Sequence, residues 1–165
     1  MSTLKDYRFQ VDASPLPRRR VRLTSDGKSP LEAATPAEFR GGTAGMWTPE
    51  DLLVASVASC YALTLEALAE RREVPLAGVE VEAVGHVTRR AEGRVGFVAI
   101  ELRVELTVDA DIGHKAEHVA RDAHRACLVA HALDIPVELE LQVRAAQQPR
   151  RLVCADAVTA VLARR

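Results

Sequence analysis

At 165 residues, with 48% apolar and 27% charged side chains, the chain has the size and balance of one globular domain with a real core. A net charge of −1 gives no electrostatic case for nucleic acid or an anionic membrane as a partner. The opening MSTLKDYRFQ lacks an apolar leader, and the apolar run around residue 60 reads as too short to span a bilayer, so a cytoplasmic location is the expectation.

Taken in chain order, residues 7–13 alternate weakly and predict a strand, interrupted by Pro15 and Pro17. Arg18 to Thr24 predicts a second strand, closed by the turn Ser25-Asp26-Gly27. The basic cluster Arg18, Arg19, Arg20 and Arg22 reads either as a charged strand edge that discourages unwanted pairing or as a partner for an anion or thiolate. Residues from Pro30 to Gly45, including Arg40, read as loop.

Thr48 to Arg72 predicts a long helix and organises the rest. Thr48 suits the N-cap, Pro49 the first helical position, and Glu50 and Asp51 meet the positive end of the dipole. From Leu52 to Leu65 only Ser56, Ser59, Tyr61 and Thr64 carry polar side-chain atoms besides the thiol of Cys60. A helix this apolar on all sides belongs in a core or an interface.

Beyond the helix, Val79, Val81, Ala83 and Gly85 alternate with Glu80, Glu82, Val84 and His86. After a turn near residues 91–93, Val98, Ile100, Leu102, Val104, Leu106 and Val108 share one face. This period of two, with one apolar face, favours an antiparallel sheet. A second helix is predicted from about Lys115 to Leu133, with Cys127 on or beside its core-facing side. Pro136 ends it, and residues 137–144 alternate as a last strand. The class is α+β. Gln147 to Pro149 reads as a linker, Asp156 to Arg164 as a short amphipathic helix, and Cys154 as structural.

An odd count of three cysteines does not make a secreted disulfide framework. A cysteine in a reducing compartment is either a small buried hydrophobe or chemistry. A thiol peroxidase needs a thiolate, a second thiol to attack the sulfenic acid, and an apolar approach for an organic peroxide. Cys60 and Cys127, both in core-forming helices, are candidates for the two thiols. Glu50 and Cys60 lie ten residues apart, about 15 Å along one helix. If both serve one site, either the helix breaks or Glu50 comes from a second subunit. The apolar helix surface suits a two-fold interface and favours the second option. His124, Cys127 and His131 share a helical spacing, as do His114 and His118, but no Cys-x-x-Cys or His-Glu-x-x-His pattern accompanies them. They read as surface or boundary histidines, and no metal or cofactor is expected.

The segment TPEDLLVASVASC resembles the N-P-E-x-L…A-x-x-A-C-F helix of the OsmC/Ohr family of organic hydroperoxide reductases, with Thr48 in place of Asn and Tyr61 in place of Phe. Ser25-Asp26-Gly27, TPAEF at 35–39 and Gly41-Gly42 match the Ohr branch in order and spacing, and HRACLVAHAL around Cys127 resembles the second-cysteine helix. The resemblance implies an intertwined homodimer whose antiparallel sheets wrap long central helices, with active sites at the dimer interface. It runs from about residue 18 to 145 and implies a domain of residues 1–146, leaving 147–165 as a C-terminal extension. It implies a cofactor-free peroxidase for organic, lipid-like hydroperoxides, with Cys60 as peroxidatic and Cys127 as resolving cysteine, reduced by an external dithiol such as a lipoyl protein. Glu50 then orients an arginine that stabilises the thiolate. The Ohr pattern points to Arg18, the OsmC branch to Arg40, and Arg20 lies close by. Two departures stand out. Cys127-Leu128-Val129-Ala130 replaces the family's Cys-Pro-x-Ser, and Met46-Trp47 replaces smaller residues. A rival reading keeps the fold without turnover, as a dimeric binding protein for an apolar small molecule with a redox-sensing cysteine.

Overall fold

The computed structural model describes residues 5–91 and 93–146. The expected linker at 147–149, the short helix at 156–164 and Cys154 lie outside the described residues.

Three short strands form a first antiparallel sheet: β1 (Asp12–Leu16), β2 (Arg20–Thr24) and β3 (Leu31–Ala34). The strand expected at 7–13 is displaced. Residues 5–11 are unpaired, with Tyr7, Phe9 and Val11 exposed, and β1 instead runs through Pro15, which an edge strand tolerates. Arg18 and Arg19 close the β1–β2 hairpin at φ 62° and 54°, a left-handed pair that reverses the chain in three residues. Gly27 at φ 69° and the Lys28 N–H donating to the Ser25 carbonyl at 3.1 Å build the expected turn between β2 and β3. β3 corrects the loop expected from Pro30: Leu31–Ala34 pairs with β2, and Ala33 and Ala34 are buried.

The segment after β3 is held tight by Gly42. A Cβ there would lie 1.8 Å from the Pro36 carbonyl oxygen, so only glycine lets the loop close before the helix. Gly42→Ala is expected to cost about 1–3 kcal/mol, as forced overpacking does, read as a fall in the denaturation midpoint.

α1 spans Pro49–Arg71 without interruption. Thr48 Oγ1 accepts from the Asp51 N–H at 3.1 Å, and the Thr48 N–H donates to Asp51 Oδ2 at 2.9 Å, a reciprocal capping box. Only one stripe of the helix, Val57, Tyr61, Leu65 and Ala69, is buried, while Leu63 on another face is 66% exposed. The helix expected to be covered on all sides is therefore covered on one side by its own chain. By length and composition α1 is apolar enough to cross a membrane, contrary to the sequence expectation, but its buried stripe is fastened into a protein core.

The second sheet contains β4 (Gly78–Arg89), β5 (Val95–Val108) and β6 (Val137–Ala145). β4 and β5 pair antiparallel, as the alternation predicts. β6 differs: it joins β5 in parallel, Ile100 opposite Val137 through Val108 opposite Ala145. The reason is the connection, a 3-10 turn (Ala110–Ile112) followed by α2 (Gly113–Ala126) and α3 (Leu128–His131), which crosses over the sheet as a βαβ unit does. Ile100, Leu102, Val104, Leu106 and Val108 of β5 are buried; the last four join Tyr61 and Leu65 of α1 and Val119, Ala120 and Ala123 of α2 in one core. The Tyr61 hydroxyl donates to the Ala120 carbonyl at 3.3 Å, and burial pushes its pKa up, so it stays a neutral donor. Arg72 and Asp122, 2.5 Å apart, tie the end of α1 to α2.

Candidate active site

The second helix was expected to run unbroken to Leu133. It stops at Ala126. Cys127 leaves helical geometry at φ −68°, ψ 106°, and the chain re-enters a single turn, α3, where the His131 N–H donates to the Cys127 carbonyl at 3.1 Å. Cys127 thus caps two helices instead of lying within one. It is buried, as its core-facing position predicted.

This break brings the two thiols together. Burial alone would push the Cys60 thiol up, but hydrogen bonds from the Val129 backbone, the Cys127 thiol, the Thr64 hydroxyl and the Leu128 backbone outweigh it and hold its pKa below the ordinary thiol value. The single proton of the Thr64 hydroxyl is shared, because Oγ1 also lies 2.7 Å from the Cys60 carbonyl. Cys127 moves the other way. Burial raises its pKa first, and its hydrogen bond to Cys60 and the neighbouring negative charge raise it further. Both cysteines are free thiols. The pair is therefore split into a half-buried, more acidic thiol at Cys60 and a buried, less acidic thiol at Cys127 that donates to it, the division of roles a nucleophile and its resolving partner require.

This polarity sets a measurable pH dependence. The thiolate fraction rises with pH, so alkylation of Cys60 by iodoacetamide is expected to rise through a midpoint below that of a free cysteine, while Cys127 stays unreactive until higher pH. A Cys60 midpoint at or above the free-cysteine value would contradict the arrangement.

Thr64 and the Leu128 and Val129 backbone groups were not singled out from the sequence. Thr64 was legible as the i+4 neighbour of Cys60, whereas the backbone donors depend on the helix break and left no signal.

The other expected residues stand apart from the thiols within one chain. α1 is continuous, so Glu50 remains about 15 Å along the axis from Cys60. Glu50 is half-buried on the first turn, and its Oε2 is buried without a hydrogen bond from any described residue. Such an oxygen calls for a donor. Arg18 is exposed at the tip of the β1–β2 hairpin. Arg20 lies 3.5 Å from Glu32, which also takes Arg22 at 2.9 Å. The Arg19 guanidinium donates to the Arg40 carbonyl and lies against Gly41. Arg18 and Arg40 form no ion pair among the described residues, so they are the candidates left uncommitted. Two of the expected histidines are held by carbonyls, His124 Nε2 at 2.9 Å from Val137 O and His131 Nε2 at 2.5 Å from Arg125 O, while the His114 and His118 rings pack edge to face with centroids 4.6 Å apart.

Beside Glu50 runs an open groove of about 440 Å³ between α1 and β4, lined by Trp47, Val54, Ala58, Gly85 and Phe97 among others.

The family model described as OsmC-like protein matches residues 42–142. The uncharacterized protein YmaD of Bacillus subtilis (strain 168) is 24% identical over 144 residues, covering 84% of this chain and 95% of that protein. Among solved structures, an OsmC-like protein of unknown function from Vibrio cholerae superposes with a TM-score of 0.75 at 17% identity, covering 82% of this chain and 99% of that one. An organic hydroperoxide resistance protein from Elizabethkingia anophelis gives 0.69 at 22%, covering 88% and 100%. At these identities the likeness to the solved structures establishes the fold.

Proposed function

This chain belongs to the OsmC-like protein family, and from that premise we propose that it is a cytoplasmic, homodimeric thiol peroxidase that reduces organic hydroperoxides. The observation that carries the reading is the convergence of the Cys127 thiol and the Val129 and Leu128 backbone groups on the Cys60 sulfur.

The Cys60 thiolate attacks the outer peroxide oxygen. The O–O bond breaks, Cys60 becomes a sulfenic acid, and the alkoxide takes a proton and leaves as an alcohol. Cys127 then attacks that sulfur, a Cys60–Cys127 disulfide forms, and water departs. An external dithiol, a lipoyl protein or small thiol, reduces the disulfide by exchange and is itself oxidised to a disulfide.

The dimer completes the site. α1 exposes apolar surface that its own chain does not cover, and Glu50 lies too far from its own Cys60 to act there. A two-fold partner running antiparallel along α1 brings Glu50 of one copy toward Cys60 of the other. Glu50 then holds a guanidinium, from Arg18 in our assignment, whose planar fork spans a carboxylate and an anionic sulfur.

The reading is tested by following loss of a straight-chain primary alkyl hydroperoxide and of hydrogen peroxide with purified protein and dithiothreitol. Many turnovers, faster with the organic peroxide, are expected. No turnover would remove the enzyme reading and favour the dimeric binding protein.

A further inference from the structure

The groove beside Glu50 is shaped by a defect in the second sheet. Along β4 and β5 the inward pairs run Val81 with Val104, Ala83 with Leu102 and Gly85 with Ile100. The register then slips: His86 pairs with Ala99, but Val87 pairs with Phe97, leaving Val98 as an extra residue. Regular pairing would set Val98 opposite Val87. The bulge sets Phe97 there instead, as bulges re-aim side chains. Gly85 makes the space. A Cβ at that position would fall 2.5 Å from Phe97 Cε1 and 2.7 Å from Val54 Cγ2, so the ring occupies the place a side chain would take. Trp47, 51% exposed, also lines the groove, held to the first sheet by its bridge to Ala33 and by the Ala34 N–H donating to its carbonyl at 2.8 Å. Trp47 lies three residues before Glu50, and Phe97 meets Val54, one helical turn beyond Glu50, around Gly85, so both rings line the Glu50 end. Beyond them the groove follows α1 to Ala58, about 12 Å of helix from Glu50.

We infer that Phe97 and Trp47 are specificity-determining residues: they restrict the groove next to Glu50 so that it takes a straight alkyl chain and rejects a carbon branched or arylated next to the peroxide. The inference rests on the peroxidase reading, since it places the organic part of the hydroperoxide in this groove. Volume filled by two rings at the reacting end is volume denied to substituents there, whereas a chain continues along the small floor toward Ala58. One methylene more or less in an apolar pocket changes discrimination by about 10–200-fold.

The test compares kcat/KM for a straight-chain primary alkyl hydroperoxide with that for cumene hydroperoxide, in the wild type, Phe97→Ala, Phe97→Leu and Trp47→Ala. The ratio is expected to favour the chain in the wild type and to move toward cumene by about tenfold or more in the alanine variants, with Phe97→Leu between. Misfolding lowers both rates together and leaves the ratio alone. An unchanged ratio in both alanine variants, with the wild-type circular dichroism spectrum and melting transition retained, overturns the inference.

A binding measurement separates this from failure of the enzyme reading. Trp47 is the sole tryptophan of the chain, so its fluorescence reports on the groove. Saturable quenching by a bromostearate, stronger than by 4-bromocumene and evened out in Phe97→Ala, supports the assignment even without peroxide turnover. Absence of quenching in the intact wild-type protein means that a second copy fills the groove, and the inference fails.

Discussion

Cys60→Ser is expected to lower peroxide consumption by on the order of 1000-fold or more, because a serine hydroxyl is far less acidic and less nucleophilic than the thiol it replaces. The loss is specific in kind. The donors from Val129, Leu128 and Cys127 remain, but they have no anion to hold. Cys127→Ser behaves differently. Cys60 still opens the peroxide, so one equivalent is consumed rapidly and a sulfenic acid persists at Cys60, detectable by dimedone trapping and mass measurement. With dithiothreitol present the variant turns over slowly, because the external thiol replaces the resolving attack. Equal loss in the two variants, without trapped sulfenic acid, would contradict the division of roles between the thiols.

Glu50→Ala is expected to lower kcat/KM about 100-fold, the scale of losing a group that orients charge at the reacting atoms. Its signature separates it from a folding defect. Each chain keeps its own Cys60–Cys127 contact, so the protein remains folded, while the catalytic defect appears at the neighbouring copy's thiol. Arg18→Ala is expected to match it. A matching loss in Arg40→Ala instead would move the guanidinium to the loop before α1. Arg20 is already committed to Glu32 and is expected to matter less for activity than for the first sheet.

Much of this was legible in the sequence for physical reasons. Thr48, Pro49 and Asp51 state a helix start in residue types alone, and the capping box follows. The alternation from Val98 to Val108 fixed which side of β5 is buried from Ile100 on. Other features left weaker signals. β3 has four residues, too few for a period of two to show. Strand periodicity carries no direction, so the parallel entry of β6 had to come from the length and helicity of its connection. The break at Cys127 was hidden because Ala123, Ala126, Cys127 and Ala130 continue a helical spacing through it, with no glycine or proline to mark it. That break creates the backbone donors to Cys60, so the part of the site least visible in the sequence is the part that lowers the thiol pKa. The bulge that delivers Phe97 was likewise silent, although Gly85 within a strand was a trace of it.

The central claim is that one active site is shared between two copies, and mixing inactive variants tests it most directly. Cys60→Ser and Glu50→Ala are each expected to be nearly inactive alone. In mixed dimers, the thiol of the Glu50→Ala chain meets the intact Glu50 of the Cys60→Ser chain, and the other site carries both defects. With random exchange half the dimers are mixed and one of their two sites is whole, so about a quarter of wild-type activity is expected to return. If co-refolded mixtures show no activity beyond the sum of the separate variants, the site is not shared and the account is wrong.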